Sequence, residues 1–335
     1  APSRQAFEKG VSMKSVFRKL HIPVTVREWH SLVGMLFLLV LMFLFVTGTL
    51  SVFGREIDWL VTPEQRVVVQ PEGKQAFGTV YDAVEVAYPE AQQLAILRLP
   101  GARFADQVTV TTPGQGKSLI YVDPYNASVQ GVGPIDNLWL TLRELHRGLS
   151  SEKRKVQFVV TLMTLPLAVM LVTSLMLHRT FYRGFFRLPR RGARWRAQLG
   201  DLHRMIGAWS VVFLTVLVVT SAEFMIEFIG LGPGPYPPYT EAAESGAAPL
   251  PAGFTGADLD QAVAQATAIF PGLNVSDIAL PTVAGEPLAV RGDLTSPMVR
   301  PSANSVNFDP ATLTLREYSG WSSGWGCRCL RHWVL

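Results

Sequence analysis

The amino-acid sequence predicts an α-helical, multi-pass membrane protein that carries two small α+β domains outside the membrane. The 335 residues are 48% hydrophobic and only 17% charged, whereas soluble domains carry about 25% charged residues. The deficit is confined to three uncharged apolar runs, at 32–53, 156–177 and 205–222. Each run reaches the roughly 18 residues that a membrane-spanning helix requires. An ordinary cytosolic enzyme is therefore excluded.

The distribution of basic residues predicts the orientation. The segment between the second and third runs, 178–204, holds eight arginines and one acidic residue, Asp201. A bias of this kind near helix ends marks the cytoplasmic side of a membrane. Nucleic-acid binding also produces arginine clusters, but a short loop between two spans favours topology as the explanation, and no nucleic-acid partner is predicted.

These observations give a predicted order of segments. The first run is longer than the apolar core of a signal peptide and lacks a cleavage site, so it is predicted to be a retained helix. Residues 230–335 end three positions after His332, where a fourth helix is expected to begin, so either that helix is truncated or the end of the chain has diverged. The predicted segments are a cytoplasmic N-terminus (1–31), helix 1 (32–53), an outer domain (54–155), helix 2 (156–177), a basic cytoplasmic loop (178–204), helix 3 (205–229) and a second outer domain (230–335). In a Gram-negative bacterium the outer domains are periplasmic and the membrane is the inner membrane.

Each outer domain shows a helical pattern followed by alternating stretches that are typical of strands. Pro89 and Pro271 follow the two helical patterns and cannot continue them. The predicted helices are 77–88 and 259–270, and the predicted strands are 93–99, 107–112, 118–122, 275–280 and 305–308.

The two halves of the chain resemble each other residue by residue, which predicts a duplicated unit. Asp123-Pro124 matches Asp309-Pro310, and a histidine follows each aspartate by 23 residues, at His146 and His332. His30 and Gly34 match His203 and Gly207 at the first and third helices. Both copies run in the same direction through the membrane, so a pseudo-two-fold axis along the membrane normal is expected.

Five of the six histidines lie beside predicted membrane ends, and His21 alone does not. A single boundary histidine is usually explained by its tolerance of the interface. The duplication, however, pairs His30 with His203 on the inner side and His146 with His332 on the outer side. Facing helices of a bundle bind cofactors in this way, and two neutral imidazoles can occupy both axial positions of a haem iron. The pattern therefore points to haem.

Three points remain open at the level of sequence. His178 is a third inner candidate and would serve as a ligand, as a partner of a ligand or as a contact to a haem propionate. Gly34 and Gly207 either make room for a flat macrocycle or allow close helix packing. His146 lies ten residues before the second apolar run, so it must come from an interfacial helix or from an extended span.

The chain contains no motif for a nucleotide or a flavin, since it lacks GxGxxG and Walker A patterns. It also lacks the HExxH and GxSxG motifs of hydrolases. Electrons for any redox reaction would therefore have to be supplied by a partner.

Several segments together resemble the PepSY-associated transmembrane family, and the outer domains resemble PepSY modules. The resemblance extends from Val24 to His332. The segments that carry it are 28–34 (EWHSLVG), 46–53 (VTGTLSVF), 56–59 (EIDW), 145–147 (LHR), 177–183 (LHRTFYR) and 199–203 (LGDLH).

That family includes inner-membrane ferric-siderophore reductases with four spanning helices and two b-type haems. The resemblance implies that electrons pass from a cytoplasmic donor through both haems to a periplasmic ferric siderophore, from which ferrous iron is released. By position, His30 and His203 would bind the inner haem, with His178 as the alternate ligand. His146 and His332 would bind the outer haem, and a single haem is expected if the fourth helix is absent.

The alternative function is non-enzymatic. PepSY modules resemble inhibitory pro-segments of peptidases, so the outer domains could bind or regulate a periplasmic peptidase or peptide. This alternative predicts a colourless protein and gives the paired histidines no role. A transporter built on parallel repeats is less favoured, because the spans carry no charged residue at mid-membrane.

Overall fold

The computed structural model describes residues 25–151, 154–186, 188–190, 192, 194–229, 231, 250–294, 302, 304–320 and 330–333. The chain divides into two compact units. We call residues 1–51 and 142–232 the helical unit, and residues 52–141 and 233–335 the sheet unit. The described α-helices are α1 (Val26–Val52), α2 (Gly54–Val61), α3 (Phe77–Ala87), α4 (Leu138–Gly148), α5 (Arg154–Leu162), α6 (Thr164–Leu177), α7 (Trp195–Phe228) and α8 (Gly256–Ile269).

Three stretches of helix are long and apolar enough to cross a membrane, at Val26–Val52, Lys155–Leu177 and Trp195–Ile226. They contain most of the three predicted spans, although the helices extend further towards their N-termini. The first helix begins early because Thr25 and Glu28 form a reciprocal capping box, with bonds of 2.9 and 3.2 Å. The third begins at Trp195, so the last ten residues of the predicted basic loop are helical.

The second span consists of two helices rather than one. Helix α5 ends at Leu162, and α6 starts at Thr164. Pro166 lies in the first turn of α6 and has no N–H to donate to the carbonyl of Leu162. A proline at this position interrupts the hydrogen-bond ladder, which explains the break at Met163.

The sheet unit is built on one antiparallel sheet. The strands are β1 (Gln92–Leu97), β2 (Asp106–Thr112), β3 (Gly116–Val122), β4 (Val129–Pro134), β5 (Asn274–Ala279), β6 (Leu288–Asp293), β7 (Asn304–Phe308), β8 (Leu315–Gly320) and β9 (Leu330–Trp333). Their order across the sheet is β4-β3-β2-β1-β5-β6-β7-β8-β9. Alternate strand residues and one side each of α3 and α8 form a continuous apolar core that includes Val84, Ile96, Leu259, Ile278 and Phe308.

The prediction of two separate outer domains is wrong, because β1 and β5 pair and join the two halves into a single sheet. In this pairing Ile96 lies opposite Ile278, and both side chains are fully buried. Each half alone would leave one of these strands as an open edge with unpaired backbone groups. Alternation in the sequence predicts the strands but not which edges meet.

Each half nevertheless begins with a helix followed by four antiparallel strands in the same order, and β9 follows in the second half. The two Asp-Pro turns agree in their hydrogen bonds. Asp123 Oδ1 accepts from the N–H of Tyr125 and Asp309 Oδ1 from that of Ala311, at 2.8 and 2.9 Å. In both turns the fourth residue after the aspartate has a positive φ, 57° at Ala127 and 52° in the second turn. The match noted in the sequence therefore extends to backbone conformation.

Helices α3 and α8 of the sheet unit cap each other. The N–H of Gly78 in α3 donates to Asp260 Oδ1 in α8 at 2.8 Å, and that of Gly256 in α8 donates to Asp82 Oδ1 in α3 at 2.7 Å. A carboxylate at a helix N-terminus is favourable because the first N–H groups have no partner within the helix. The contact requires glycine, since a Cβ on Gly78 would lie 2.0 Å from the carbonyl oxygen of Gly256.

The end of the chain also differs from the prediction. Residues 330–333 form strand β9 and pair with β8, where His332 lies opposite Tyr318. The expectation that a fourth membrane helix begins at this point is therefore wrong. Pairing along the open edge of β8 satisfies backbone groups that would otherwise face solvent, which explains why a strand forms here.

Candidate cofactor site

His30 and His203 lie next to each other in the helical unit. His30 is in the second turn of α1 and His203 in the third turn of α7. Their ring centroids are 6.3 Å apart and the ring planes are inclined by 69°. The pairing predicted from the repeat on the inner side is thus present in the structure.

This separation suits two imidazoles that share one metal ion. With metal–nitrogen bonds of about 2.0 Å on opposite sides of the ion, the two ring centroids lie about 6 Å apart. The inclination of the rings does not matter, because each ring can rotate about its own metal–nitrogen axis. Among the described residues no group of three or more His, Cys, Asp or Glu could hold a metal ion. A haem needs only two protein ligands, since the macrocycle supplies four nitrogens, and the donor set therefore fits haem.

The orientation of His30 is fixed by helix α6. Its Nδ1 lies 3.0 Å from Thr173 Oγ1, and Thr173 is buried with 8% of its surface exposed. His30 itself is half-buried, and its Nε2 is the nitrogen left for a ligand. Metal-binding histidines are commonly oriented through their second nitrogen in this way.

The two glycines beside these histidines, Gly34 and Gly207, have different surroundings in the structure. A Cβ on Gly34 would lie 3.0 Å from Cε of Met170, so this glycine permits close packing of α1 against α6. A Cβ on Gly207 would meet no atom within 4 Å. Packing therefore explains Gly34, whereas no packing contact among the described residues explains Gly207.

His178, the third inner candidate, is the C-cap residue of α6. Its backbone N–H donates to the carbonyl of Ser174 at 2.9 Å, and its side chain is exposed. Of the three histidines predicted for the inner side, the described residues show a ring contact between His30 and His203, in an edge-to-face arrangement.

His146 lies in α4, a separate helix that ends before the second span. Of the two alternatives for this residue, an extended span is therefore excluded. Nδ1 of His146 lies 2.9 Å from the carbonyl oxygen of Leu44 and 3.4 Å from Thr47 Oγ1, both in α1. The ring packs against Gly48, where an added Cβ would approach Cε1 to 2.8 Å.

Because a carbonyl oxygen can only accept, the Nδ1 of His146 carries the proton in the bond to Leu44. In a neutral imidazole the other nitrogen then holds a lone pair, so Nε2 is available as a ligand. Leu44 follows His30 by 14 residues along α1, a rise of about 21 Å at 1.5 Å per residue. The two histidine sites are therefore well separated along the same helix.

His332, the predicted partner of His146, lies in strand β9 of the sheet unit. The prediction placed it just before a membrane helix, and the structure does not. Its role as a ligand stays a prediction from the repeat.

Sequence reasoning missed the residues that support these histidines. Asp58 is 3% exposed and accepts from the backbone N–H groups of Leu138 and Trp139, at 3.0 and 2.9 Å. It thereby caps the start of α4, the helix that carries His146. The Glu-Ile-Asp-Trp segment was noted only for its resemblance. A carboxylate supplied from a distant segment has no signal in local spacing, and the same holds for Thr173.

The basic segment after α6 presents both charge and apolar surface. Phe186 is 91% exposed and Leu188 is 74% exposed. Arg190 pairs with Asp201 at 2.9 Å, and Arg204 contacts the same carboxylate. The one acidic residue of this segment is therefore neutralised locally, which leaves a net positive surface of the kind that contacts anionic headgroups.

Comparison with known families gives one match. The model of the PepSY-associated TM region matches residues 27–321, which is most of the chain and includes His30, His146, His178 and His203. A comparison with curated proteins finds no match.

Proposed function

The chain belongs to the PepSY-associated TM family, and from this premise we propose that it is a haem-containing inner-membrane oxidoreductase that passes electrons to a periplasmic ferric siderophore. The observation that carries the proposal is the His30–His203 pair, with ring centroids 6.3 Å apart. When bound, haem supplies a one-electron couple between ferric and ferrous iron. Release of iron follows from the chemistry of the acceptor, since a siderophore binds ferrous iron more weakly than ferric iron.

His30 and His203 are the proposed axial ligands of an inner haem of the b type. His146 is the proposed ligand of an outer haem, with its Nε2 free and its Nδ1 held by Leu44. His332 is the second ligand that the repeat in the sequence proposes for this outer haem. We therefore propose one inner haem on a pair of histidines and a second haem that depends on His146.

The proposed topology follows the arginine-rich segment. Eight arginines between the second and third spans favour a cytoplasmic location for this loop and for the N-terminus. The sheet unit is then periplasmic, and the inner haem lies near the cytoplasmic donor. The donor is a separate protein, since the sequence contains no flavin or nicotinamide motif. The matching order of helix and strands in the two halves supports a duplicated origin.

The chain's own residues set the conditions for electron transfer. In a bilayer the apolar spans would surround the inner pair, and neutral rings would avoid the cost of a buried charge. The hydrogen bonds of His30 and His146 hold each ring in one orientation, so little rearrangement accompanies a change of charge. A rigid environment of this kind favours electron transfer over binding of small ligands.

The first test is a reduced-minus-oxidised absorption spectrum of the detergent-purified protein, with haem measured per chain. We expect a b-type spectrum, and loss of the inner haem in His30→Ala and His203→Ala. His21→Ala serves as the matched control, since His21 does not lie beside a predicted span. Ferric-siderophore reduction is then followed with the purified protein and dithionite as donor.

Two outcomes would overturn the proposal. A colourless protein purified from haem-replete cells would remove the redox function and favour the alternative, a PepSY membrane protein that binds a periplasmic peptidase. Full haem content in both alanine variants would show that other residues bind the haem. A protein with haem but without siderophore reductase activity would retain the electron-transfer function and change only the acceptor.

A further inference from the structure

We infer that Thr173 is a positioning residue that holds His30 in the Nδ1–H tautomer and lowers the reduction potential of the metal bound to its Nε2. This inference rests on the proposed function, since the metal is the iron of the inner haem. The tautomer itself, however, follows from the hydrogen bonds of the protein alone.

The direction of the bond between Thr173 and His30 is determined by a second bond. Thr173 Oγ1 lies 2.6 Å from the carbonyl oxygen of Val169, one turn earlier in α6. A carbonyl accepts only, and a hydroxyl has one proton, so that proton points to Val169. The contact of 3.0 Å to His30 must therefore be a donation from the ring Nδ1–H to the threonine oxygen.

The consequence for the ring follows directly. A neutral imidazole has one N–H, so its other nitrogen carries the lone pair. With the proton on Nδ1, the lone pair of His30 is on Nε2, the nitrogen that is free for a ligand. His146 shows the same state by a different route, through the carbonyl of Leu44. The tautomer is thus set before any metal binds.

The bond also affects the strength of the ligand. A hydrogen-bond acceptor at Nδ1–H draws the proton slightly away from the ring and makes Nε2 a stronger electron-pair donor to the metal. The same effect occurs in other histidine ligands whose second nitrogen is hydrogen-bonded to a neighbouring group. A better donor stabilises ferric iron more than ferrous iron, and the potential falls. Because the threonine hydroxyl already donates to Val169, its oxygen is polarised and accepts strongly. Loss of this acceptor should therefore raise the potential.

The test compares three variants in the full-length protein. Thr173→Val keeps the shape of the side chain and removes the acceptor, whereas Thr173→Ser keeps the acceptor. Thr215→Val is the matched control, since the hydroxyl of Thr215 bonds to the carbonyl of Val211 in its own helix, α7, and its side chain is exposed. The readouts are haem affinity, the midpoint potential of the inner haem and its low-spin electron paramagnetic resonance spectrum.

For Thr173→Val we expect haem affinity to fall by about tenfold, at the low end of the effect of outer-partner mutations. A tenfold weakening confined to the ferric state raises the midpoint potential by about 59 mV for one electron. Thr173→Ser should restore both values, and Thr215→Val should resemble the wild type. Wild-type potential and spectrum in a haem-loaded Thr173→Val protein would overturn the inference and leave the proposed function intact.

A measurement on the haem-free protein keeps the inference testable if no haem is found. The ¹⁵N chemical shifts of His30 distinguish a ring protonated at Nδ1 from one protonated at Nε2. We expect the Nδ1–H form in the wild type and a mixture in Thr173→Val. An Nε2–H form in the wild type would refute the inference whether or not the proposed function is correct. Loss of structure in both Thr173→Val and Thr173→Ser would also count against it, since the serine keeps the acceptor.

Discussion

The replacement Gly48→Ala separates the outer histidine from the inner pair. A Cβ at position 48 would lie 2.8 Å from Cε1 of His146 and 3.0 Å from its Nδ1, whereas ordinary contact begins at 3.4 Å. The ring must therefore move away from α1 by about 0.6 Å. The bond from Nδ1 to the carbonyl of Leu44, now 2.9 Å, then lengthens to about 3.5 Å, the limit at which a hydrogen bond contributes.

Two costs follow from this displacement. Loss of a neutral hydrogen bond removes about 0.5–1.5 kcal/mol, and loss of the partner that orients a ligand lowers metal affinity by about 10–100-fold. We expect Gly48→Ala to weaken haem bound through His146 by that factor and to leave the His30–His203 pair unchanged. The assay is haem titration of the apoprotein, followed by redox titration, in which the two haems are resolved by potential.

Two further variants serve as the references for this experiment. His146→Ala defines complete loss of the outer ligand. Gly200→Ala, also in a helix, adds a Cβ that meets no atom within 4 Å, and it controls for the higher helix propensity of alanine. If Gly48→Ala bound haem as tightly as Gly200→Ala while His146→Ala lost one haem, the close contact between Gly48 and His146 would be refuted.

Two further predictions concern the sheet unit. Gly78→Ala places a Cβ 2.0 Å from the carbonyl oxygen of Gly256. We expect overpacking to lower the free energy of unfolding by about 1–3 kcal/mol. The measurement is thermal denaturation, and an unfolding midpoint equal to that of the control Gly200→Ala would contradict the prediction. Burial raises the pKa of Tyr81 to about 12, so the unfolded chain ionises this phenol first, and stability falls as the pH rises from 10 to 12, by about 1.4 kcal/mol per unit. Tyr81→Phe should lack this part of the alkaline loss. If the unfolding midpoints of the wild type and the variant differed by the same amount at pH 11 as at pH 9, the prediction would be refuted.

Local patterns predicted the parts of the fold that depend on local chemistry. Pro89 and Pro271 limited the helices of the sheet unit to within a residue or two, since α3 ends at Ala87 and α8 at Ile269. The three apolar runs lie in the three candidate spans. The pairing of β1 with β5 was not predicted, because strand alternation reports which face is buried and not which edge is paired.

In the candidate site, too, some features could be predicted from the sequence and others could not. The pairing of His30 with His203 was predicted because a repeat carries long-range information that a single pattern lacks. His332 was misplaced for the same reason, since the repeat predicted a helix where the chain forms β9. The roles of Thr173 and Asp58 depend on contacts with distant segments, so no local spacing could indicate them. Duplication predicted which residues correspond, but it could not predict where the copies diverge.

One face of helix α1 connects both ends of the proposed electron path. His30 and Gly48 are 18 residues apart, which is five turns at 3.6 residues per turn, so they lie on the same side of the helix about 27 Å apart. The first contacts Thr173 of α6 and the second packs against His146 of α4. Since the hydrocarbon core of a membrane is about 30 Å thick, one face of a membrane-spanning α1 would place one histidine site near each boundary. Electron tunnelling falls steeply with distance, so two cofactors at this separation, rather than one, would suit the electron transfer across the bilayer that we propose.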